Sequence, residues 1–301
     1  MNAFRIVVLV SVAVFLFSGC SSIAELGTAV GVATGRIDKS QAESLKATAD
    51  AVSKSFEDIT PEQEYYIGRA VGANILNQND PWSDQQASDY LNLLGQAVAM
   101  VSDRPETFGG YHFLILDSEE INAFAAPSGL IFITKGMLRC TTDEATLAAV
   151  LAHEIGHVQH KHGLQAIKKS RVTKALTSVA LTAVQMAGSN ELRQLTGVFD
   201  ESITDITSTL IVNGYSRKFE SQADEAAITI LKRIGYDPTA LIEMLEVMNS
   251  RLTPGGLDFA KTHPDPEDRI ADVKKMIGVS SSQTAPSKTR ENRYLAGLAG
   301  L

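Results

Sequence analysis

The pentapeptide His153-Glu154-Ile155-Gly156-His157 constrains this chain more than any other feature, because its two imidazoles can serve one purpose only if the backbone between them is helical. At i and i+4 of an α-helix they share a face, one turn apart, within reach of a single ion. The flanking residues agree with a helix. Thr141 with Glu144 three residues on reads as a capping box, Ala145, Ala148, Leu151 and Ile155 recur at helical spacing, and Gly163 reads as the stop, so the helix is predicted to run to about His162. Zinc suits such a pair of imidazoles, one ion per chain. Glu154, next to the first of them, can take a proton from a water that the metal activates, which makes the set hydrolytic.

A catalytic zinc takes three protein ligands and keeps one position open, so a third donor must lie elsewhere. Six residues past His157 stands Gly163, which excludes a third histidine at that spacing, and His160 and His162 read as solvated side chains. A better source is the later helical stretch Ser216-Arg217-Lys218-Phe219-Glu220-Ser221-Gln222-Ala223-Asp224. Glu220 and Asp224 are one turn apart on a shared face, so one carboxylate can bind the metal while the other holds a ligand histidine by its second ring nitrogen. Without the histidine motif the same pair would read as a solvated charged stripe.

Of the 301 residues 44% are apolar and only 6% aromatic, a balance that allows a sizeable core and favours helix over an all-β sandwich. The formal charge of −8 gives no electrostatic footprint for nucleic acid, and two cysteines cannot staple a fold of this size. Residues 1–19 have the anatomy of a secretory signal, one basic residue followed by a short apolar run. The Ser18-Gly19-Cys20 ending resembles the lipobox of bacterial lipoproteins, which makes Cys20 a lipid anchor and, with Ser21 after it, points to the outer membrane. Cys140 is then left without a partner and reads as a buried apolar residue.

Residues 20–59 read as a tether with a docking helix near Gln41–Val52, and 279–301 as a polar, disordered tail. Between them, 60–278 form the predicted domain. Thr60-Pro61-Glu62-Gln63 opens a helix to about Asn77, and a second covers Asp84 to Val101. Strands are expected at Tyr111–Leu116, Asn122–Ala126 and Leu130–Thr134, with Pro127-Ser128-Gly129 as a turn. Later helices cover Asp200–Ile234, with an irregularity at Asn213-Gly214, then Pro238–Asn249 and Pro266–Ile277. Val172–Gly197, between the two candidate ligand helices, reads as a lid or as an ordinary helix and loop.

Four segments in this order, NAFAAPSG, HEIGH, SRKFESQAD and THPDPEDRI, resemble the zinc metallopeptidase family that contains HtpX-like and CAAX-prenyl-protease-type peptidases, over about Thr60 to Ile277. The resemblance implies an α+β fold, a mostly α-helical zincin-like domain with a small antiparallel sheet beside the HExxH helix. It also implies a gluzincin site with His153, His157 and Glu220 on zinc, Glu154 as general base, and Asp224 and Arg269 behind them. His263 matches a position near the metal, suited to an oxyanion or to the open coordination site. Asn122, Ala123 and Phe124 match an edge strand to which an extended peptide adds. Pro127-Ser128-Gly129 departs from the family's more usual Pro-Gly-Gly, and the long apolar spans of its integral-membrane members are not seen.

The resulting expectation is a zinc endopeptidase on the periplasmic side of a bacterial outer membrane, lipid-anchored, cleaving unfolded or unassembled envelope proteins beside the envelope assembly machinery. The rival expectation is a non-proteolytic chaperone or assembly scaffold that keeps the zinc for structure.

Overall fold

The computed structural model describes residues 59–166, 206–251, 262–263, 266–278 and 287–301. The signal segment with Cys20, the helix expected near Gln41–Val52 and the Val172–Gly197 stretch lie outside the described residues. In chain order the elements are α1 (Pro61–Leu76), α2 (Gln85–Met100), β1 (His112–Leu116), β2 (Ala123–Ala126), β3 (Leu130–Thr134), α3 (Lys135–Leu138), α4 (Glu144–Gln159), α5 (Arg217–Ile234), α6 (Thr239–Arg251), α7 (Pro266–Ile277) and α8 (Lys288–Gly297). The α+β class is the one expected. Among the described residues, no helix is long and apolar enough to cross a membrane.

Local chemistry sets most helix starts. At α1 the Thr60 hydroxyl accepts from Gln63 N–H while the Gln63 side chain accepts from Thr60 N–H, the reciprocal pair read from the sequence. Asp84 caps α2 through Ala87 N–H. The start of α4 differs from expectation. Asp143 is its cap, paired with Thr146, whereas Thr141 bonds Leu138 C=O and the Tyr294 hydroxyl. Glu144 is thereby released from capping. It is buried, and its carboxylate accepts from Tyr90, Tyr236 and Arg293.

The sheet is mixed rather than antiparallel, in the order β1-β3-β2, with β3 parallel to β1 and antiparallel to β2. Alternating apolar residues fix which faces pack but not which strand lies in the middle, so the sequence left the order open. The outer flank of β1 is sealed. Asn92 of α2 donates to Phe113 C=O at 2.8 Å and accepts from Phe113 N–H at 3.1 Å, and Trp82 N–H donates to Ile115 C=O. On the opposite flank, Thr134 N–H donates to Asn122 C=O, so residues 122, 124 and 126 face β3 while 123 and 125 turn their backbone groups outward. Asn122 Oδ1 accepts from Ala123 N–H at 2.9 Å; among the described residues no backbone hydrogen bond reaches Ala125 from outside the sheet.

Helix α4 lies at the centre, with every residue from Thr146 to Val158 buried, as befits a helix apolar on all sides. It packs on α2, α5, α6 and β2. The last segment is not the disordered tail expected from its polarity. Lys288–Gly297 is helical, and α8 docks through Arg293 on Glu144, Gln86 on Ala296 C=O and Gly297 against the Tyr90 ring. A few specific contacts hold it where hydrophobic pattern predicted nothing.

A candidate metal centre

Two helices bring the donors together, and a glycine sets their spacing. A Cβ on Gly156, between the two histidines, would lie 2.9 Å from Ala223 C=O and 3.2 Å from Ala226 Cβ, so only glycine lets α5 come this close to α4. Helix α5 starts afresh after a break. Gly214, at φ +71°, follows a short π-helical turn at Thr209–Asn213, and Ser216 caps the new helix through Phe219 N–H. The irregularity expected at Asn213-Gly214 is therefore a full interruption, and it aims Glu220 and Asp224 at α4.

His153, His157, Glu220 and His263 are all buried, and one ligand atom from each lies within 4.8 Å of the others. His153 Nε2 stands 3.1 Å from His157 Nε2, 3.3 Å from His263 Nδ1 and 3.5 Å from Glu220 Oε2. His157 Nε2 is 3.5 Å from Glu220 Oε1, and His263 Nδ1 is 3.1 Å from both Glu220 oxygens. Ligand bonds of about 2.0–2.1 Å in a tetrahedron put neighbouring donor atoms about 3.3 Å apart, so this spacing suits zinc. The charges agree. Burial and Arg269 press the His153 pKa down, but hydrogen bonds to Asp224 and Glu220 outweigh them and hold it at about 9. Burial would raise Glu220, yet His263 and Arg269 hold it well below the carboxylate range. His157 is pushed the other way, well below the imidazole range, by burial and by the neighbouring imidazoles, which keeps its ring neutral, and ionised Glu220 supplies negative charge for a cation.

Behind the donors, Asp224 Oδ1 is 3.0 Å from His153 Nδ1. Arg269 donates to both Asp224 oxygens, at 2.9 and 2.7 Å, and its Nη1 is 3.1 Å from Glu220 Oε2. One buried guanidinium thus braces both carboxylates, and with burial opposed by Arg269 the Asp224 pKa stays low. Glu154 is fully buried with neither oxygen hydrogen-bonded among the described residues, and His263 Nε2 is 3.7 Å from Oε1. Burial, the largest influence, raises its pKa. A carboxylate in that state suits a proton acceptor facing a water that a metal would bring.

The structure brings His153, Glu154, His157, Glu220, Asp224, His263 and Arg269 together and adds two residues. His162 is buried, not solvated, with Nδ1 2.9 Å from His157 Nδ1 and Nε2 3.2 Å from Gln222 Oε1. Its burial lowers its pKa to about 4. Continuing the helix past Gln159 points it elsewhere; the helix ends there, and Lys161 at φ +54° turns the chain back beneath His157. His160, by contrast, is half-exposed at the helix end. Tyr215 stacks on the His157 ring at 4.2 Å, with a buried hydroxyl that has no hydrogen-bond partner among the described residues. Its only sequence signal is proximity to the Ser216 cap. Asn122, the first residue matched to the edge strand, accepts from the Thr262 hydroxyl at 3.0 Å, next to His263.

Fold and site together have the features of the zinc metallopeptidase class: a HExxH helix, a glutamate from a second helix and an edge strand alongside. Residues 85–277 match peptidase family M48, and the chain belongs to that family. It is 30% identical over 239 residues to the beta-barrel assembly-enhancing protease of Escherichia coli (strain K12), covering 77% of this chain and 46% of that protein. A putative protease of the same description from Vibrio cholerae is 28% identical over 224 residues, covering 72% and 44%. The mitochondrial metalloendopeptidase OMA1 of Schizosaccharomyces pombe is 28% identical over 158 residues, covering 52% and 43%. The chain thus spans less than half the length of these relatives.

Proposed function

We propose that this protein is a zinc endopeptidase that cleaves extended segments of unfolded or unassembled envelope proteins, with His153, His157 and Glu220 as its zinc ligands. The observation that carries the reading is the buried Glu154 carboxylate, without a hydrogen bond among the described residues, beside a donor cluster of zinc dimensions. A bound zinc would polarise the scissile carbonyl and lower the pKa of a water toward about 7. Glu154, its own pKa raised by burial, takes a proton from that water and delivers it to the departing amine nitrogen. Asp224 and Arg269 hold His153 and Glu220 in place throughout. The substrate adds to the outer flank of β2, where the Ala125 backbone and the Ala123 C=O turn outward, so recognition tolerates many side chains.

His263 fits a resting, latent form, since its Nδ1 stands where a fourth ligand would, while Ala123 to Ala126 are buried. Moving that imidazole aside leaves it near the scissile carbonyl, where it serves the developing oxyanion. The N-terminal sequence and the bacterial relatives support an address on the periplasmic side of the outer membrane, with a lipid on Cys20.

A closed set of four donors is also the geometry of a structural zinc, which favours the scaffold reading in one respect. Glu154→Gln separates the two. It should keep zinc and fold while lowering cleavage of a denatured protein by at least about 100-fold. Envelope function retained in that variant would favour the scaffold; unchanged cleavage would remove Glu154 from the mechanism.

A further inference from the structure

The turn beyond α4 sets a buried imidazole against the back of His157, and we propose that His162 is a positioning residue that fixes the ring and proton placement of His157 for zinc. The inference rests on the zinc reading above. With Nε2 of His157 directed into the donor cluster, its Nδ1 carries the ring proton. The atom facing that proton, at 2.9 Å, is His162 Nδ1, which must therefore accept. The His162 proton then sits on Nε2, and Gln222 Oε1 lies 3.2 Å away to receive it. Donors and acceptors run in one direction, from His157 through His162 to Gln222.

Gln222 stands on α5, two residues after Glu220. The helix that offers a carboxylate to the metal thus also ends the relay that orients an imidazole from α4. Packing holds both rings. His162 lies flat on Phe219, ring centres 4.3 Å apart at 9°, and His157 is covered by Tyr215. His153 is oriented through the same ring atom by Asp224. Each histidine of the pentapeptide is thus steered from behind by its own partner, one anionic and one neutral.

The test is zinc affinity of the full-length chain, measured by competition with a chromophoric chelator, with circular dichroism of each metal-free variant as the check on folding. His162→Phe keeps the stack on Phe219 and removes the acceptor, and should weaken zinc binding about 10- to 100-fold. His162→Asn places Oδ1 near the position of Nδ1 and should restore most of that loss. Gln222→Met, at the far end, should weaken binding in the same direction by a smaller factor and covers the case in which the Phe variant does not fold. Wild-type affinity in His162→Phe, equal weakening in Phe and Asn, or wild-type affinity in Gln222→Met would each overturn the proposal. The ratios between variants test this assignment, whereas the zinc content of the wild-type chain tests the reading beneath it; a chain that binds no zinc overturns both.

Discussion

Replacing Gly156 by alanine tests whether the approach of α5 to α4 sets the metal geometry. The new Cβ would meet Ala223 C=O at 2.9 Å and Ala223 Cα at 3.0 Å, both backbone atoms that cannot swing aside. Ordinary carbon contacts lie at about 3.5–4.0 Å, so α5 must retreat by roughly half an ångström. Ala223 precedes Asp224 directly and follows Glu220 by three residues, so a rigid helix passes the shift to both carboxylates. Overpacking of this kind costs about 1–3 kcal/mol, and the better helix propensity of alanine returns about 1 kcal/mol, leaving a net loss of about 1 kcal/mol in the metal-free protein. The larger effect should fall on the site. A misplacement near 1 Å costs about 100-fold in rate, so half of it should lower turnover on a denatured substrate about tenfold, with weaker zinc binding. Chemical denaturation of the metal-free form and chelator competition on the loaded one provide the two readouts. A Gly156→Ala chain with wild-type zinc affinity and turnover would refute the spacing argument.

Arg293→Ala should lower stability by about 2 kcal/mol in urea, since Glu144 stays buried with only its two tyrosine partners. Burial raises the Glu144 pKa, but the bonds from Arg293 and Tyr236 more than offset it, so the folded value lies below the ordinary 4.5. The stability gap between wild type and Glu144→Gln should therefore be constant above about pH 5 and close as pH falls through the depressed folded value; a gap that widens on acidification would contradict the assignment. Ser128→Gly should stabilise the chain by about 1 kcal/mol in thermal melts, because Ser128 holds φ +65° and buries a hydroxyl with no partner among the described residues. Stripping zinc with a chelator should lower the melting temperature and stop cleavage, both restored by added zinc; activity that survives chelation would end the metallopeptidase reading.

The sequence made the candidate donor cluster more legible than the frame around it. Two histidines one turn apart and a carboxylate pair at the same spacing are local patterns, and local spacing on a helix becomes position in space without further information. His162 escaped because its place depends on where α4 stops, and a left-handed Lys161 leaves no composition signal. The expected antiparallel sheet proved mixed for the related reason that alternation assigns faces, not neighbours. The docking of α8 was hidden in a single Arg293 whose partner, Glu144, reads as a cap residue until Asp143 is seen in that role. The last two misses concern contacts between residues far apart in the chain.

The plugging of β1 by Asn92 and Trp82 makes the sheet lopsided. A second copy cannot extend the sheet from that side, which removes one common route to edge-to-edge aggregation. Among the described residues it leaves the flank of β2 as the one the proposed peptide would use, just after Asn122, which accepts from Thr262, the neighbour of His263.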